Sequence, residues 1–198
     1  MKHARDDHRD KRVSLGDTDD MQGTSVGALR HLDELDDFEI ADGEPDIRGW
    51  TVKAADDRQV GEVADLLVDT GAMKVRYVEV KLDKKAAEEA SRPGDDLNPR
   101  SEPLRHVLIP VGAARLDDES DEVRLSTRAA EIAGIPTYER GGLSREFERE
   151  VLRRCEGGGD MRNAREERNF YSGAWFDDSS FLATRRRERS GGEARDTS

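Results

Sequence analysis

The chain has 198 residues, of which 34% are hydrophobic and 39% are charged, and its net charge is −12. This composition allows one ordinary domain with extensions, but not a core that runs along the whole length. An acidic surface repels phosphate groups, which argues against nucleic acid as a partner. The single cysteine, Cys155, excludes an internal disulfide and a cysteine-based zinc site.

The N-terminal segment is charged where a secretory signal needs an apolar stretch. The sequence contains no run of the roughly 20 apolar residues that a membrane-spanning helix needs. We therefore expect a soluble, cytoplasmic protein with no integral membrane segment. Residues 1–30 are predicted to form an acidic flexible arm, because their few apolar residues are too scattered to make a packed face.

The ordered region is predicted to start at about residue 31. Leu32, Leu35, Phe38 and Ile40 are spaced three, three and two apart. This spacing fits a short helical turn that passes into an extended segment, with the apolar side chains facing the domain. We expect this lead-in to pack against the strands that follow.

The longest consistent β pattern covers residues 46–82. Trp50, Val52 and Ala54 alternate with polar residues, as in a half-buried strand. Two further apolar runs follow after short turns, which favours an antiparallel meander. Alternation fails in the second run, so either both faces are covered or a bulge lies near Gly61.

Beyond residue 82 the predicted elements are shorter. The polar stretch 83–103 is longer than most connections and is predicted to be a mobile or a contact loop. Pro110 cannot donate to a ladder, which places it at a sheet edge or a bulge. The remaining predictions are a helical turn or two over 84–90, strands over 106–111 and 122–125, a helix over 128–133 that Ser126-Thr127 cap, and a helix from Ser144 to about Arg154.

The C-terminal tail holds five of the chain's ten aromatic residues within positions 170–181, followed by an arginine-rich run. Such a segment could contact RNA or anionic lipid, or its aromatics could fold back onto the domain or onto a second subunit. The folded-back interpretation is favoured, because a run this short binds membrane or RNA only marginally. The candidate interaction residues are Trp50 and Tyr77 in the β region and Phe170, Tyr171, Trp175, Phe176, Phe181, Arg185, Arg186 and Arg187 in the tail.

The sequence shows no catalytic signature. The four histidines lack the spacing of a zinc motif, and the acidic pairs at 56–57 and 117–118 fit turns. Asp65 and Asp69 share one strand face, for which we favour a structural role. Nucleophile and phosphate-loop motifs are also absent from the sequence. It therefore assigns no catalytic residue, no cofactor and no metal, and predicts that the protein is not an enzyme.

Five motifs follow one another along residues 46–138: Asp46–Trp50, Gly61–Asp69, Val75–Val80, His106–Val111 and Ile135–Tyr138. With these motifs, the stretch resembles a PRC-barrel domain, the family named for the cytoplasmic domain of the photosynthetic reaction-centre H subunit. The resemblance implies a mainly β fold, a small antiparallel barrel, to which the sequence patterns add short helices and the composition adds partly disordered charged arms. The predicted organisation is an arm over 1–30, a barrel over 31–139, and a helix with an aromatic and arginine-rich tail over 140–198.

The resemblance implies a binding or assembly platform. The leading hypothesis is a non-catalytic module that binds an unidentified protein partner, with a homodimer left open, through the face around Trp50 and Tyr77, the 83–103 loop and the tail. A second hypothesis is a reaction-centre accessory that influences electron transfer, although the H subunit's membrane helix has no counterpart here. A third is an RNA or ribosome assembly factor.

The sequence also makes two predictions about stability. Trp50→Ala should cost roughly 3–5 kcal/mol of unfolding free energy if the ring is core. Truncation after Tyr138 should leave a folded domain if the tail is an appendage.

Overall fold

The computed structural model describes residues 11–13, 29–35, 38–40, 45–90, 105–155, 167–179 and 181. The strands are β1 (Lys11–Val13), β2 (Leu29–His31), β3 (Phe38–Ile40), β4 (Thr51–Lys53), β5 (Gln59–Asp69), β6 (Lys74–Leu82), β7 (His106–Pro110), β8 (Ala114–Asp117) and β9 (Glu122–Leu125). The helices are α1 (Lys84–Ala90), α2 (Ala129–Ile132) and α3 (Arg145–Cys155), with 3₁₀ turns at Leu32–Glu34, Val111–Ala113, Glu167–Ser172 and Ala174–Phe176.

The fold is mainly β. Six strands lie side by side in the order β7-β6-β5-β4-β9-β8, and β2 pairs with β5 as a seventh. These pairs are antiparallel except β4–β9, while β1 and β3 form a separate parallel pair. Among the described residues no β7–β8 pairing closes the sheet into a barrel. Instead, the C-terminal tail reaches β8, where the Leu116 amide donates to the Phe181 carbonyl at 3.1 Å.

A bulge in β5 lies next to Gly61, as the broken alternation predicts. Val52 is opposite Gly61 but Lys53 is opposite Gln59, so one extra residue of β5 is accommodated between them. Gly61 is also required where β5 faces β6, because a Cβ at this position would lie 2.1 Å from the Lys81 carbonyl oxygen. The bulge and the close approach to β6 therefore depend on the same residue.

The core covers both faces of β5 and β6, which explains the failed alternation. Consecutive residues of β5, such as Leu66, Leu67 and Val68, are all 0–1% exposed. The core continues into α3 and the tail, where Leu152 and Phe181 are 2% and 0% exposed. A boundary at 139 thus does not separate two cores, and a boundary at 30 falls inside β2.

The helices begin where side chains satisfy free amide groups. The Ser144 hydroxyl accepts from the Phe147 amide at 3.2 Å, which confirms the predicted start of α3. The predicted cap of α2 is wrong: α2 begins at Ala129, whose amide donates to Asp56 at 3.2 Å. Asp56 comes from a turn distant in sequence, so no local pattern could have indicated it.

Most other elements lie where the sequence predicts them. The lead-in forms a 3₁₀ turn followed by β3, and Pro110 ends β7, the outermost strand on its side of the sheet. β8 was not predicted. Within the described ranges, none of the helices is long and apolar enough to cross a membrane. Most of the predicted arm, the loop beyond Ala90 and Arg185, Arg186 and Arg187 lie outside the described residues.

Candidate functional site

Tyr77 is a core residue. It lies in β6 with 0% exposure, its ring meets Phe176 edge-on at 5.4 Å between centroids, and its hydroxyl donates to Glu148 at 2.9 Å. The prediction that Tyr77 belongs to an exposed binding face is therefore wrong, because α3 and the tail cover this side of β6. Trp50 is half-buried at the margin of the core.

The tail aromatics fold back onto the sheet. Phe170, Phe176 and Phe181 are 0–5% exposed, whereas Tyr171 and Trp175 are half-buried. Position 112 must be glycine here, since a Cβ would lie 2.3 Å from the Ala174 carbonyl oxygen. Only the half-buried pair retains surface for a partner among these aromatics.

A polar group of four residues, which we call the tail cluster, attaches the tail to the sheet: the buried Tyr77 and Glu148 and the half-buried Arg145 and Tyr171. Glu148 is 4% exposed and stands at its centre. One carboxylate oxygen of Glu148 accepts from the hydroxyls of Tyr77 and Tyr171 at 2.9 and 2.7 Å. The other accepts from the Arg145 guanidinium at 3.1 Å. Both oxygens of this carboxylate therefore have donors.

Cationic side chains also stack on the tail aromatics. The Arg145 guanidinium lies 4.2 Å from the Phe170 ring centroid, and that of Arg76 lies 4.8 Å from the Tyr171 centroid. Burial, together with the nearby Glu148 carboxylate, raises the pKa of the Tyr77 and Tyr171 hydroxyls. Both phenols consequently remain protonated donors at neutral pH, and the cluster joins β6, α3 and the tail.

A second buried polar group joins β2, β5 and β6. We call it the histidine cluster: His31, Asp65 and Glu79, which are 5%, 1% and 1% exposed. The His31 Nδ1 lies 3.1 Å from Asp65 Oδ2 and 3.2 Å from Glu79 Oε2. Asp65 and Glu79 are direct partners in the β5–β6 pairing.

Further polar groups surround this cluster. The Tyr138 hydroxyl is 2.9 Å from His31 Nε2, and the His106 Nδ1 is 2.5 Å from Glu79 Oε1. Arg140 donates to Asp65 at 3.3 Å and, more closely, to Asp33 at 2.8 Å. Each residue of the histidine cluster is thus oriented by a neighbour from another segment.

The electrostatics of the histidine cluster reflect an excess of carboxylates. Burial lowers the pKa of His31, but its hydrogen bonds to Asp65 and Glu79 outweigh burial and raise the pKa to about 9. Burial raises the pKa of Glu79, and the bonds from His31 and His106 lower it below its usual value. In the described part of the chain, Asp65 Oδ1 is buried without a hydrogen-bond partner.

A groove with a volume of about 560 Å³ lies between the two clusters. Its lining includes His31 of the histidine cluster with Tyr138, and Arg145, Glu148 and Tyr171 of the tail cluster. Its remaining lining residues are Leu29, Arg30, Glu34, Gly141, Leu143 and Ser144. The groove therefore combines aromatic, aliphatic and charged side chains from β2, α3 and the tail.

The sequence did not predict the histidine cluster or the groove. The residues of the cluster come from three segments, and only the strand register brings them together. One signal was available: Asp65 and Glu79 interrupt runs that are otherwise apolar and buried. A carboxylate in such a run requires a partner, but the sequence does not say which residue supplies it.

Residues 43–132 match the family model of the PRC-barrel domain, so this chain contains a PRC-barrel domain. The match covers a little under half of the chain and extends from before β4 to the end of α2. No curated protein matches the chain. Asp65 and Glu79 lie within the matched region, whereas His31, Tyr138, α3 and the tail lie outside it. The groove is therefore lined entirely by residues outside the match.

Proposed function

We propose that this chain is a non-enzymatic protein-binding or assembly module, in which the PRC-barrel domain is the scaffold and the groove is the docking site. The observation that carries the proposal is the lining of the groove. Two tyrosines and two arginines line it, the residue types that most often dominate binding energy at protein interfaces. Leu29 and Leu143 are half-buried in its walls and add apolar surface.

The walls of the groove are held in place before any partner binds. The hydroxyl of Tyr138 contacts His31, and that of Tyr171 donates to Glu148. Because these aromatic side chains are already ordered, binding loses little side-chain entropy. A volume of about 560 Å³ admits several side chains of a partner.

This proposal places the docking surface differently from the sequence-based prediction. Tyr77 and three tail phenylalanines lie in the core, and of the predicted contact residues Tyr171 lines the groove. The functional surface would then be made by what the chain adds to the barrel. β2 supplies one wall and α3 with the tail supplies the other.

Charge reversal at the rim tests the docking site. Arg30 is exposed at the groove, and Arg115 is exposed on β8 at a position that does not line the groove. We expect Arg30→Glu to lose the proteins that the full-length chain captures from native lysate, and Arg115→Glu to retain them. Equal capture by both variants would place docking elsewhere, and no specific capture by the full-length chain would overturn the module proposal.

The identity of the captured proteins separates the hypotheses. Reaction-centre subunits would identify the accessory role, and ribosomal proteins released by ribonuclease would identify the assembly factor. Light scattering of the purified full chain measures self-association. A dimer that Arg30→Glu dissociates would make a second copy the partner at the groove.

A further inference from the structure

The pairing of two carboxylates in the histidine cluster requires a physical explanation. Asp65 and Glu79 lie directly opposite each other on β5 and β6 and are each 1% exposed. Like charges opposite each other on neighbouring strands repel, and burial removes the water that would screen them. Positive charge is needed between these two residues.

The described cationic groups supply only part of the positive charge that Asp65 and Glu79 require. Arg140 is shared with Asp33 and lies closer to it, at 2.8 Å compared with 3.3 Å to Asp65. The His31 Nδ1 can carry only one proton, yet carboxylate oxygens of both Asp65 and Glu79 lie within 3.2 Å of it. Asp65 Oδ1 is buried and has no hydrogen-bond donor within the described ranges.

These separations match those between the ligands of one metal ion. With metal–ligand bonds of about 2.0–2.1 Å, two ligands of a tetrahedral zinc ion lie about 3.3–3.4 Å apart. The His31 Nδ1 lies 3.1 and 3.2 Å from its two carboxylate oxygens, and the three ligand atoms all lie within 4.8 Å of one another. The two nitrogen–oxygen separations would lengthen by about 0.1–0.3 Å around an ion, and the two carboxylate oxygens would close on it from opposite strands.

The groups around the cluster are those that orient metal ligands. A metal-bound histidine usually donates its other ring N–H to an oxygen, and here His31 Nε2 is 2.9 Å from the Tyr138 hydroxyl. Glu79 keeps its second oxygen on His106 at 2.5 Å. Both contacts leave Nδ1 of His31 and Oε2 of Glu79 for the ion.

Charge balance also favours a dication. His31 must give up its proton to become a ligand, and the carboxylates of Asp33, Asp65 and Glu79 then outnumber the guanidinium of Arg140 by two. A divalent ion between Asp65 and Glu79 would neutralise this excess. The exposed Glu34, at 3.9 Å from Arg140, adds negative charge on the same side.

We propose that His31, Asp65 and Glu79 bind one divalent metal ion of the zinc class. One imidazole and two carboxylates suit zinc and similar transition metals, whereas calcium takes six to eight oxygens and magnesium prefers six. His31 and Tyr138 line the groove, which provides an entry path and room for a water as the fourth ligand. The site would join β2 to β5 and β6, whether or not the groove is a docking site.

Zinc binding to the full chain tests the site. The protein is stripped with a chelator and titrated with Zn²⁺ in competition with a chromophoric chelator. We expect one ion per chain, and an affinity at least a hundredfold lower in Asp65→Asn and in His31→Gln. Tyr138→Phe alters only an outer contact and should weaken binding roughly tenfold to a hundredfold.

Matched control variants test whether zinc binds at other aspartates or histidines of the chain. Asp69→Asn changes a second buried aspartate of β5, which pairs with Arg76 at 3.1 Å, and should leave zinc affinity unchanged. The double variant His3→Gln/His8→Gln removes the two N-terminal histidines and should also bind zinc normally. Loss of binding in this double variant, or equal binding by Asp65→Asn and the unaltered chain, would overturn the proposal.

A spectroscopic readout avoids dependence on how well the variants fold. Co²⁺ in a four-coordinate site absorbs far more strongly in the visible than six-coordinate Co²⁺. The unaltered chain loaded with one equivalent of Co²⁺ should show the intense spectrum, and Zn²⁺ should abolish it. A weak six-coordinate spectrum, or a spectrum that zinc leaves unchanged, would overturn the assignment of this site.

Discussion

The tail cluster and the histidine cluster both place carboxylates in the core, but they satisfy them differently. Glu148 has two oxygens and three donors, from Tyr77, Tyr171 and Arg145. Asp65 and Glu79 have four oxygens between them, and their donors are His106, Arg140 and one His31 nitrogen that lies close to both carboxylates. A carboxylate with more donors than oxygens holds the segments that carry those donors together. Carboxylates with fewer donors than oxygens can still accept a cation.

The difference arises from where the partners come from. The donors around Glu148 are two neutral phenols and one arginine, and they lie in β6, α3 and the tail. Strand pairing does not fix the residue type at these three positions. Asp65 and Glu79 face each other through strand register, so the pairing itself supplies a second acceptor instead of a donor. Removing the carboxylate charge of Glu148 should therefore destabilise the tail cluster, whereas removing that of Asp65 should relieve repulsion in the histidine cluster.

The largest effect is expected from deleting residues 167–198. This removes three buried phenylalanines and the Tyr171 hydroxyl from Glu148. Each buried phenylalanine is worth about 3–5 kcal/mol, so the sum approaches the 5–15 kcal/mol that stabilises a typical protein. We expect no cooperative thermal unfolding by circular dichroism. Deletion of 182–198, beyond the last described residue, is the control and should leave the transition intact.

The next largest effect is expected from Phe176→Ala. Its ring is 5% exposed and meets both Tyr77 and Tyr171 edge-on, with centroids 5.4 and 4.9 Å away. We expect the free energy of unfolding in urea to fall by about 3–5 kcal/mol. The neighbouring Trp175 is half-buried, and Trp175→Ala should cost less. An equal cost for both variants would contradict the described packing of the tail.

Glu148→Gln tests the fastening directly. The amide keeps the shape of the side chain but loses the charge and presents a donor where an acceptor stood. We expect a loss of about 1–3 kcal/mol in unfolding free energy. A double-mutant cycle with Tyr171→Phe should show coupling, since the two groups bond at 2.7 Å. Additive effects would show that the bond contributes nothing.

A smaller effect is expected from Trp50→Ala. The sequence predicted a cost of roughly 3–5 kcal/mol for a core tryptophan. Trp50 is half-buried, and we now expect less than about 3 kcal/mol, since part of its surface already contacts water. Val52→Ala, in the fully buried next position on the same face, gives the comparison in the same urea titration. A full core cost for Trp50→Ala would place its ring in the interior.

The smallest effect on stability is expected from Asp65→Asn in the presence of a chelator. Asparagine keeps the size of the side chain and removes one of the two facing charges. We expect the melting temperature to change less than in Glu148→Gln, because the relief of repulsion with Glu79 offsets the weakened bonds from His31 and Arg140. A fall in melting temperature as large as that of Glu148→Gln would show that the carboxylates of the two clusters stabilise the fold in the same way.

Sequence patterns predicted the elements whose residues are neighbours in the chain. The runs that became β5, β6 and β7, the turn of helix at α1 and the cap at Ser144 all depend on local spacing or composition. β8 was missed because its four residues, Ala114–Asp117, directly follow a 3₁₀ turn and contain only one long apolar side chain. The parallel β4–β9 pair depends on contacts between distant segments, which spacing does not report.

The candidate site was harder to predict for the same reason. The run around Tyr77 has apolar residues on both faces of the strand, so spacing did not show which face is covered. In the fold, α3 and the tail cover the face that carries Tyr77. His31 and Asp65 lie 34 positions apart, and the β2–β5 register brings them within bonding distance. An acidic residue inside a buried strand indicated that a partner exists, without identifying it.

The bond between Leu116 and Phe181 has a consequence for synthesis of the protein. The β8 edge meets a tail residue that leaves the ribosome 65 positions later. Until then the growing chain carries an uncovered strand edge, which can pair with other chains. Premature termination between these positions would release a product whose sheet edge stays open, so aggregation of truncated chains should depend on whether position 181 has been reached.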